Sequence, residues 1–527
     1  MQNSCLTALI GMSALLLSAC NNDRSDASNI VPITVPSFST PQPVVPVTGT
    51  VRATSNPLVA QVTVAAAPGA QVQVEFGTDT NYGRMTSTTV ADASGNASIL
   101  VAGLRGNTTY HLRTRVLTAT ATQTSSNETF TTGALPANLA ALRLKVETPP
   151  GASPQPGIEL VNPIASAVYQ PYAVDLQGNI IWYYAWPDFR ARKLVQGMKQ
   201  LPNGNFLLVI ADTSRQPLDT PTDRTASLMR EINLAGDTVR ELTIADLNAK
   251  IASSRNNLTL ELFHHDVEIL PNGNWLLLAN TLKNVNGVNV LGDVIIEVDK
   301  NLNPVFVWNQ FDHFDPTVRS MQYPNWTHTN AVVYSPTDGN FIVSMRHLHL
   351  VAKVNYRNGS GDGAVLWRLG RGGDFALRNG TDPIDWQYAQ HTPTFTSAAT
   401  AGVFDLILMD NGNERIIAGN GSLCGTTGNP SCYTTVPIFR VDEVARTATV
   451  TSRITLPPEL FSSFAGNAAM LPNGNVKYAL GGLRSGAIIR EVSLAPGNPV
   501  VWSLTTVDNF AYRSERLPSL YPGILWR

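Results

Sequence analysis

Three histidines that recur at nearly equal intervals, His264, His328 and His391, and one arginine, Arg346, are the residues whose types and placement could do chemistry. Imidazole is largely neutral near pH 7, so it can attack an electrophile, form a covalent adduct, and give or take a proton. Guanidinium presents planar donors that match a tetrahedral anion such as a sulfuryl or phosphoryl group. The histidines stand in FHHDVEILPNGN, NWTHTNAVVY and QYAQHTPTF, and the arginine stands in FIVSMRHLHLV. Aligned on the apolar strand before each turn, His264, His328 and His391 fall at one register position, which Val195 and Ala465 occupy in flanking repeats. His265 and Asp266 are expected to support His264, the aspartate by orienting an imidazole or bonding to nearby amides. His111, His313, His347 and His349 read as structural.

The elements that must position these residues form a repeat. LPNGN occurs three times, in MKQLPNGNFLLV, HHDVEILPNGNWLLLA and GNAAMLPNGNVKYAL, each time between apolar alternating runs. Asn-Gly in that setting predicts a two-residue hairpin with positive φ at both residues, a type I′ turn. Outer hairpins begin near Val174, Ile232, Val298, Val354, Val441 and Val492, with strands ending in Trp or Tyr at all but Ile232 and Val441, which match more loosely. Four strands per unit, repeated, predict a six-bladed β-propeller over 142–527, with the terminal YPGILWR as the strand that closes the ring on the first blade. Over 47–135, alternating strands and a GLRGNTTYHLR stretch resemble a fibronectin type III-like β-sandwich, with Tyr110 at the position of a tyrosine corner. The expected fold class is all-β, a propeller preceded by a small sandwich. Equivalent positions in a propeller face one central channel, so the register alignment predicts a shared site at one mouth of that channel.

Composition narrows the partners. Charged residues are 14% of 527 and the formal net charge is -2, so no basic surface for nucleic acid is expected. MQNSCLTALIGMSALLLSAC ends in Leu17-Ser18-Ala19-Cys20 and looks like a lipoprotein signal over 1–20, with Cys20 as the lipidated residue and a Ser/Pro-rich tether over 21–46. Export to an oxidising periplasm, anchored by lipid to the outer membrane of a Gram-negative bacterium, follows as an expectation. There, Cys424 and Cys432 in GSLCGTTGNPSC are expected to pair as a local disulfide rather than to hold a metal.

The ordered set FHHDVEILPNGN, NWTHTNAVVY, FIVSMRHLHLVAKVNY, VLWRLG, QYAQHTPTF and LILMDNGNER resembles the bacterial arylsulfate sulfotransferases. The resemblance implies an enzyme that moves a sulfuryl group from a phenolic sulfate ester to a phenol, with no nucleotide sulfate donor and no cofactor. It implies His391 as the nucleophile that becomes sulfated, with His328, His264 and Arg346 as the other active-site residues. Chemistry then suggests His328 as the acid and base, and Arg346 and His264 as stabilisers of charge on the sulfuryl oxygens. Trp326, Tyr388 and Tyr512 either stack on the aryl ring or pack the blades. The residues alone leave two other readings open, a hydrolase with a metal held by His264, His328 and His391, and a lipid-anchored binding protein without catalysis. A homo-oligomer is compatible with all three.

Overall fold

The computed structural model describes residues 47–118, 121–164, 168–185, 193–212, 218, 227–252, 258–396, 400, 402–419, 421–425 and 431–526. Cys20 and the segments 1–20 and 21–46, expected to be a signal and a tether, lie outside the described residues. The architecture is all-β, with two short α-helices, Ala137–Ala140 and Ile244–Ala252. Among the described residues no helix is long and apolar enough to cross a membrane.

The first 85 or so described positions make two sheets. One holds Gly49–Ala53, Ala60–Ala65 and Asn96–Val101, and the other is centred on Gln71–Gly77 paired with Thr109–Leu117. Alternation along Ala60–Ala65 buries Val62 and Val64, as a strand with one wet face requires. The Tyr110 hydroxyl accepts the Arg105 amide at 2.9 Å, the geometry of a tyrosine corner. One apolar cluster continues from these sheets through Phe76, Tyr521 and Trp526 into Trp182 and Phe206, so the two parts share a core.

Six further sheets follow among the described residues. The first holds Ile158–Ile164, Tyr172–Val174 and Ile180–Tyr183, and the second Lys193–Gln200, Phe206–Asp212, Leu228–Ile232 and Thr238–Thr243. The third holds Leu260–Ile269, Trp275–Val285, Val288–Val298 and Pro304–Asn309, and the fourth Thr329–Ser335, Asn340–Met345, Leu350–Val354 and Val365–Leu369. The fifth is built on His391–Phe395, Val403–Met409, Thr435–Asp442 and Thr447–Thr455. The sixth is built on Asn467–Met470, Val476–Leu483, Gly486–Val492 and Val500–Val507, with Arg143–Glu147 on its outer edge. Middle strands such as Asn340–Met345 are buried along their whole length, because sheets cover them on both faces.

Neighbouring sheets touch in sequence order through their first strands, and Val476–Leu483 of the sixth packs on Phe510–Leu517, which pairs with Ile158–Ile164 of the first. The late strand that pairs with the first sheet is therefore Phe510–Leu517, and not YPGILWR as expected. The latter packs on the sandwich instead: the Tyr521 hydroxyl bonds Leu100 O and the Ala102 amide, and Trp526 meets Phe76 edge to face at 5.8 Å. Indole N–H groups join sheet to sheet at the periphery. Trp182 donates to Leu234 O at 2.8 Å, Trp308 to Gly363 O at 2.8 Å, Trp367 to Glu443 at 2.6 Å, and Trp502 to Leu176 O at 3.0 Å.

The LPNGN turns also differ from expectation. The amide of each glycine bonds the leucine carbonyl, and only the glycines take positive φ, at 87°, 83° and 83° for Gly204, Gly273 and Gly474. Proline with its fixed φ opens a type I turn and glycine follows as a bulge, giving a three-residue loop. The asparagines bind a carboxylate on the third strand: Asn203 and Asn205 on Glu231, Asn274 on Glu297, and Asn473 and Asn475 on Glu491. The motif is scaffold. Since Trp502 joins the last sheet to the first, Trp502→Phe is expected to lower stability by about 1 kcal/mol with the far-UV spectrum unchanged; an unaltered denaturation midpoint would show the bond to be incidental.

Candidate functional site

The site forms where the first strands of the third, fourth and fifth sheets start, and where their regular pairing breaks. Ladder shifts fall between Phe263 and Val267, Thr329 and Ala331, and His391 and Thr394. Matching Trp275↔Val298, Phe341↔Val354 and Phe404↔Val441 across the three sheets puts His328 and His391 on the same rung. The third sheet puts Glu261 and Leu262 on that rung rather than a histidine, because its bulge between Phe263 and Val267 holds one more residue than the other two. Counting back from the turn therefore does not find the histidine that meets His328. The longer bulge turns His265 inward at φ 58°, and His328 has φ 45°, a left-handed conformation that is uncommon for side-chain-bearing residues and concentrates at functional sites.

His265, His328 and His347 form a run of rings. His265 meets His328 edge to face at 4.8 Å and Tyr512 at 5.8 Å, and His328 stacks on His347 at 4.3 Å. His264 is one step behind: its Nδ1 lies 2.7 Å from His265 Nδ1, and its Nε2 lies 3.1 Å from Asp293 Oδ1, at ion-pair distance but without hydrogen-bond alignment. Asp293 accepts the Thr327 hydroxyl and the Thr329 amide, each at 2.6 Å, which ties this carboxylate to the segment carrying His328. Burial opposes ionisation of Asp293, but His264, Thr327 and Thr329 outweigh it and hold its pKa below the ordinary range.

His391 is buried, with Nδ1 2.6 Å from Asn411 Oδ1 and its ring 6.4 Å from that of Tyr512. Arg346 caps the second strand of the fourth sheet. Its Nη1 lies 2.8 Å from His347 Nε2 and its Nη2 donates to Ser463 O at 3.1 Å. Among the described residues no carboxylate pairs with it, and its buried Nε has no partner. Burial pulls the Arg346 pKa down to about 10. Arg513 has the opposite fate, bonded to Asp266 at 2.8 Å and to Asn330 O at 2.5 Å, and Asp266 also accepts the Val332 amide at 3.3 Å.

These surroundings keep the imidazoles neutral. Burial first, then neighbouring histidines and arginines, push His265 and His328 well below the ordinary value, and burial followed by the Arg346 charge does the same to His391. His347 falls to about 3 from burial and Arg346. Burial raises the Tyr512 hydroxyl to about 12.

The structure thus gathers His264, His265, His328, His391, Arg346 and Tyr512 in one cluster, with Asp266 beneath it on Arg513. It separates two aromatic candidates from the rest. Trp326 stacks on Phe311 at 5.2 Å, and the Tyr388 hydroxyl bonds Pro383 O at 2.8 Å, so both are engaged in packing. Cys424 and Cys432 form a disulfide with Cα atoms 5.5 Å apart. His313 lies against Trp308 at 5.0 Å, outside the cluster. Sequence reasoning passed over His347, Asp293, Asn411, Ser463 and Asn325, whose side-chain nitrogen lies 3.1 Å from His328 Nδ1 and whose carbonyl lies 2.7 Å from His347 Nδ1. Asn411 did carry a signal, since it lies in LILMDNGNER, where Asp410 binds Arg415, the Thr435 hydroxyl and the Tyr388 amide.

An all-β chain thus brings a cluster of imidazoles around a buried arginine that no carboxylate pairs with among the described residues. The model of the arylsulfotransferase (ASST) family matches residues 152–512, and the chain belongs to that family. Its members are sulfotransferases that act on small-molecule phenolic substrates. No curated protein matches the chain. A solved protein from Lactobacillus plantarum is 10% identical, covering 68% of this chain and 82% of its own at TM-score 0.32. A DUF4784 family protein from Bacteroides caccae is 10% identical, covering 84% and 95% at TM-score 0.28. Likenesses this distant carry no argument.

The depressed histidines have a consequence for stability. A base with its folded pKa below the unfolded value leaves the unfolded chain binding more protons, so its contribution is complete above about 6.5 and declines as pH falls toward the folded pKa. For His347 that window runs from the ordinary 6.5 down to about 3, with a slope of at most about 1.4 kcal/mol per pH unit. His347→Gln is expected to flatten the fall of Tm below pH 6.5; an unchanged slope would show that His347 is already protonated in the native state.

Proposed function

We propose that the six sheets are the blades of a closed propeller and that the cluster at its mouth moves a sulfuryl group from a phenolic sulfate ester to a phenol through a sulfated His391. The observation that carries this reading is Arg346, a buried cation left without a carboxylate in the same cluster as the histidines. A sulfate ester supplies the missing negative charge, and the guanidinium meets its oxygens.

In the first half-reaction His391 Nε2 bonds to sulfur as the ester O–S bond breaks, and the electron pair leaves with the phenolate oxygen. His328 is the proposed donor of the proton that this oxygen needs, since a phenol has a pKa of about 10. His328 is neutral in the free site, and the bound ester's charge favours its protonated form. In the second half-reaction the acceptor oxygen bonds to sulfur, its proton passes to His328, and the Nε2–S bond breaks. Of the His264–His265 pair, His265 is the imidazole that meets His328, with His264 supporting it from behind. Tyr512, between His265 and His391, is the aromatic surface best placed for an aryl ring.

The metal-hydrolase reading has less support, because among the described residues no three His, Cys, Asp or Glu side chains converge as a metal would need. A binding protein without catalysis is separated from the transferase by assay alone. Anchorage through Cys20 and a periplasmic location belong to the proposal on the strength of the 1–20 segment. His391→Asn is expected to abolish transfer from an aryl sulfate to added phenol while leaving Tm near wild type. Arg346→Gln should cost about 10²–10³ in kcat, the scale for losing one donor to a charged transition state. The donor alone should leave one sulfuryl group on His391 in quenched wild-type enzyme, and its absence from the intact mass would sink the covalent mechanism.

A further inference from the structure

His391 can attack only with a nitrogen that carries a lone pair, and the sulfated ring is a good leaving group only while its other nitrogen keeps a proton. Both requirements fall on the partner of Nδ1. That partner is the Asn411 side chain, with Oδ1 at 2.6 Å. An amide can face either way, but the other end of this one is fixed: Nδ2 donates to Ser462 O at 2.7 Å and to Ala465 O at 3.0 Å. Carbonyls only accept, so the nitrogen must be Nδ2 and the atom toward His391 must be oxygen. An oxygen there accepts, which puts the proton on Nδ1 and the lone pair on Nε2.

The clamp around the amide is shared. The Ser462 amide donates to the Thr434 hydroxyl at 2.9 Å, and that hydroxyl donates to Asn411 O at 3.2 Å. One residue further on, Ser463 O accepts Arg346 Nη2 at 3.1 Å. The loop 462–465 ends in Ala465 at φ 59°, a left-handed turn that directs its carbonyl at Asn411. One short loop before the sixth sheet therefore holds both the group that orients the nucleophile and the arginine beside it.

We propose that Asn411, held by the Ser462–Ala465 loop, is the positioning residue that fixes His391 as its Nδ1–H tautomer, and that an amide rather than a carboxylate stands there so that the nucleophile stays unprotonated on Nε2. A carboxylate at 411 would also accept the Nδ1 proton, but it would draw a second proton onto Nε2 and block attack. Asparagine gives the orientation without the charge. The Nδ1 proton then remains in the adduct, so the sulfated ring is cationic and releases sulfur to the acceptor oxygen as the Nε2–S pair returns to the ring. The charged and titratable groups facing His391 are Arg346 from the fourth sheet, His265 from the third, and Arg513 and Tyr512 from the strand Phe510–Leu517. Burial, then Arg346 and Arg513, disfavour protonation of His391 and outweigh the hydrogen bonds of Asn411 and the Ala389 backbone, which favour it.

This inference rests on the transferase reading for its kinetic part only. In full-length protein labelled with ¹⁵N-histidine, the His391 signals, assigned by their loss in His391→Gln, should show Nδ1–H and a bare Nε2; an Nε2–H tautomer in the wild type overturns the proposal. That measurement needs no turnover, so a wild type unable to transfer sulfuryl would remove the function and leave the tautomer result standing. In the assay, Asn411→Ala should lower kcat roughly 10–100-fold with KM little changed, the scale known for partners that orient metal-bound histidines. The near-isosteric Asn411→Asp should move the acid limb of the pH–kcat profile to higher pH and recover part of the rate in alkali. A limb that does not move, in a variant with wild-type Tm, would equally overturn it.

Discussion

A buried guanidinium without a carboxylate is the constraint around which the site is arranged. Elsewhere in the interior the cations are paired: Arg513 with Asp266, Arg415 with Asp410, Lys477 and Arg516 with Glu159. Pairing is the usual condition for burying a charge at all, since desolvation of an ion costs several kcal/mol. Arg346 has instead a neutral imidazole and a carbonyl. Burial first, and then its charge, depress His347 and His391, and their neutrality leaves nitrogen lone pairs available. In the proposed function an anionic ester supplies the missing negative charge beside Arg346, and the same arrangement leaves the His391 imidazole unprotonated.

Placing that charge requires backbone that departs from the repeat. The sheets are regular in their second and third strands, where buried apolar runs and turn carboxylates recur. Ladder shifts recur where third strands meet fourth strands, but those at the starts of the first strands carry left-handed His265 and Thr392, with left-handed His328 and Ala465 just ahead of their strands. Such residues cost of order 1 kcal/mol or more each and persist only where the surroundings over-determine them. Here the surroundings are the cross-sheet bonds of Asp293 to the Thr327–Thr329 segment and of the 462–465 loop to Asn411 and Arg346.

Much of this was legible from sequence because it depends on local pattern. The outer hairpins begin where Val174, Ile232, Val298, Val354, Val441 and Val492 placed them, since polar turns between apolar strands are local signals. Tyr110 makes its bond to Arg105 for the same reason. What could not be read depends on pairing. The type of the LPNGN turn follows from where Pro falls in the loop, and the role of His265 follows from one extra residue in a bulge, which no apolar count reveals. YPGILWR was mistaken for the closing strand because its apolar residues suit a strand and a packed tail equally well, and only the sandwich core decides between them. Asn411 and Asp293 act on histidines in other strands, and nothing in their neighbours announces those partners.

The repeated architecture and the single site are related through what each sheet is free to change. A turn asparagine on a third-strand carboxylate, or an indole on the next sheet's carbonyl, must recur because every sheet needs the same cohesion. The strand starts carry no such duty, since their neighbours are the other strand starts and whatever lies between them. Histidines can therefore be concentrated in the third, fourth and fifth sheets while the second and sixth keep Val195 and Ala465 near the corresponding positions. The sixth nevertheless contributes, because its leading loop supplies the carbonyls that hold Asn411 and Arg346. The sixth sheet thus contributes to the cluster through backbone groups, which a reading of residue types passes over.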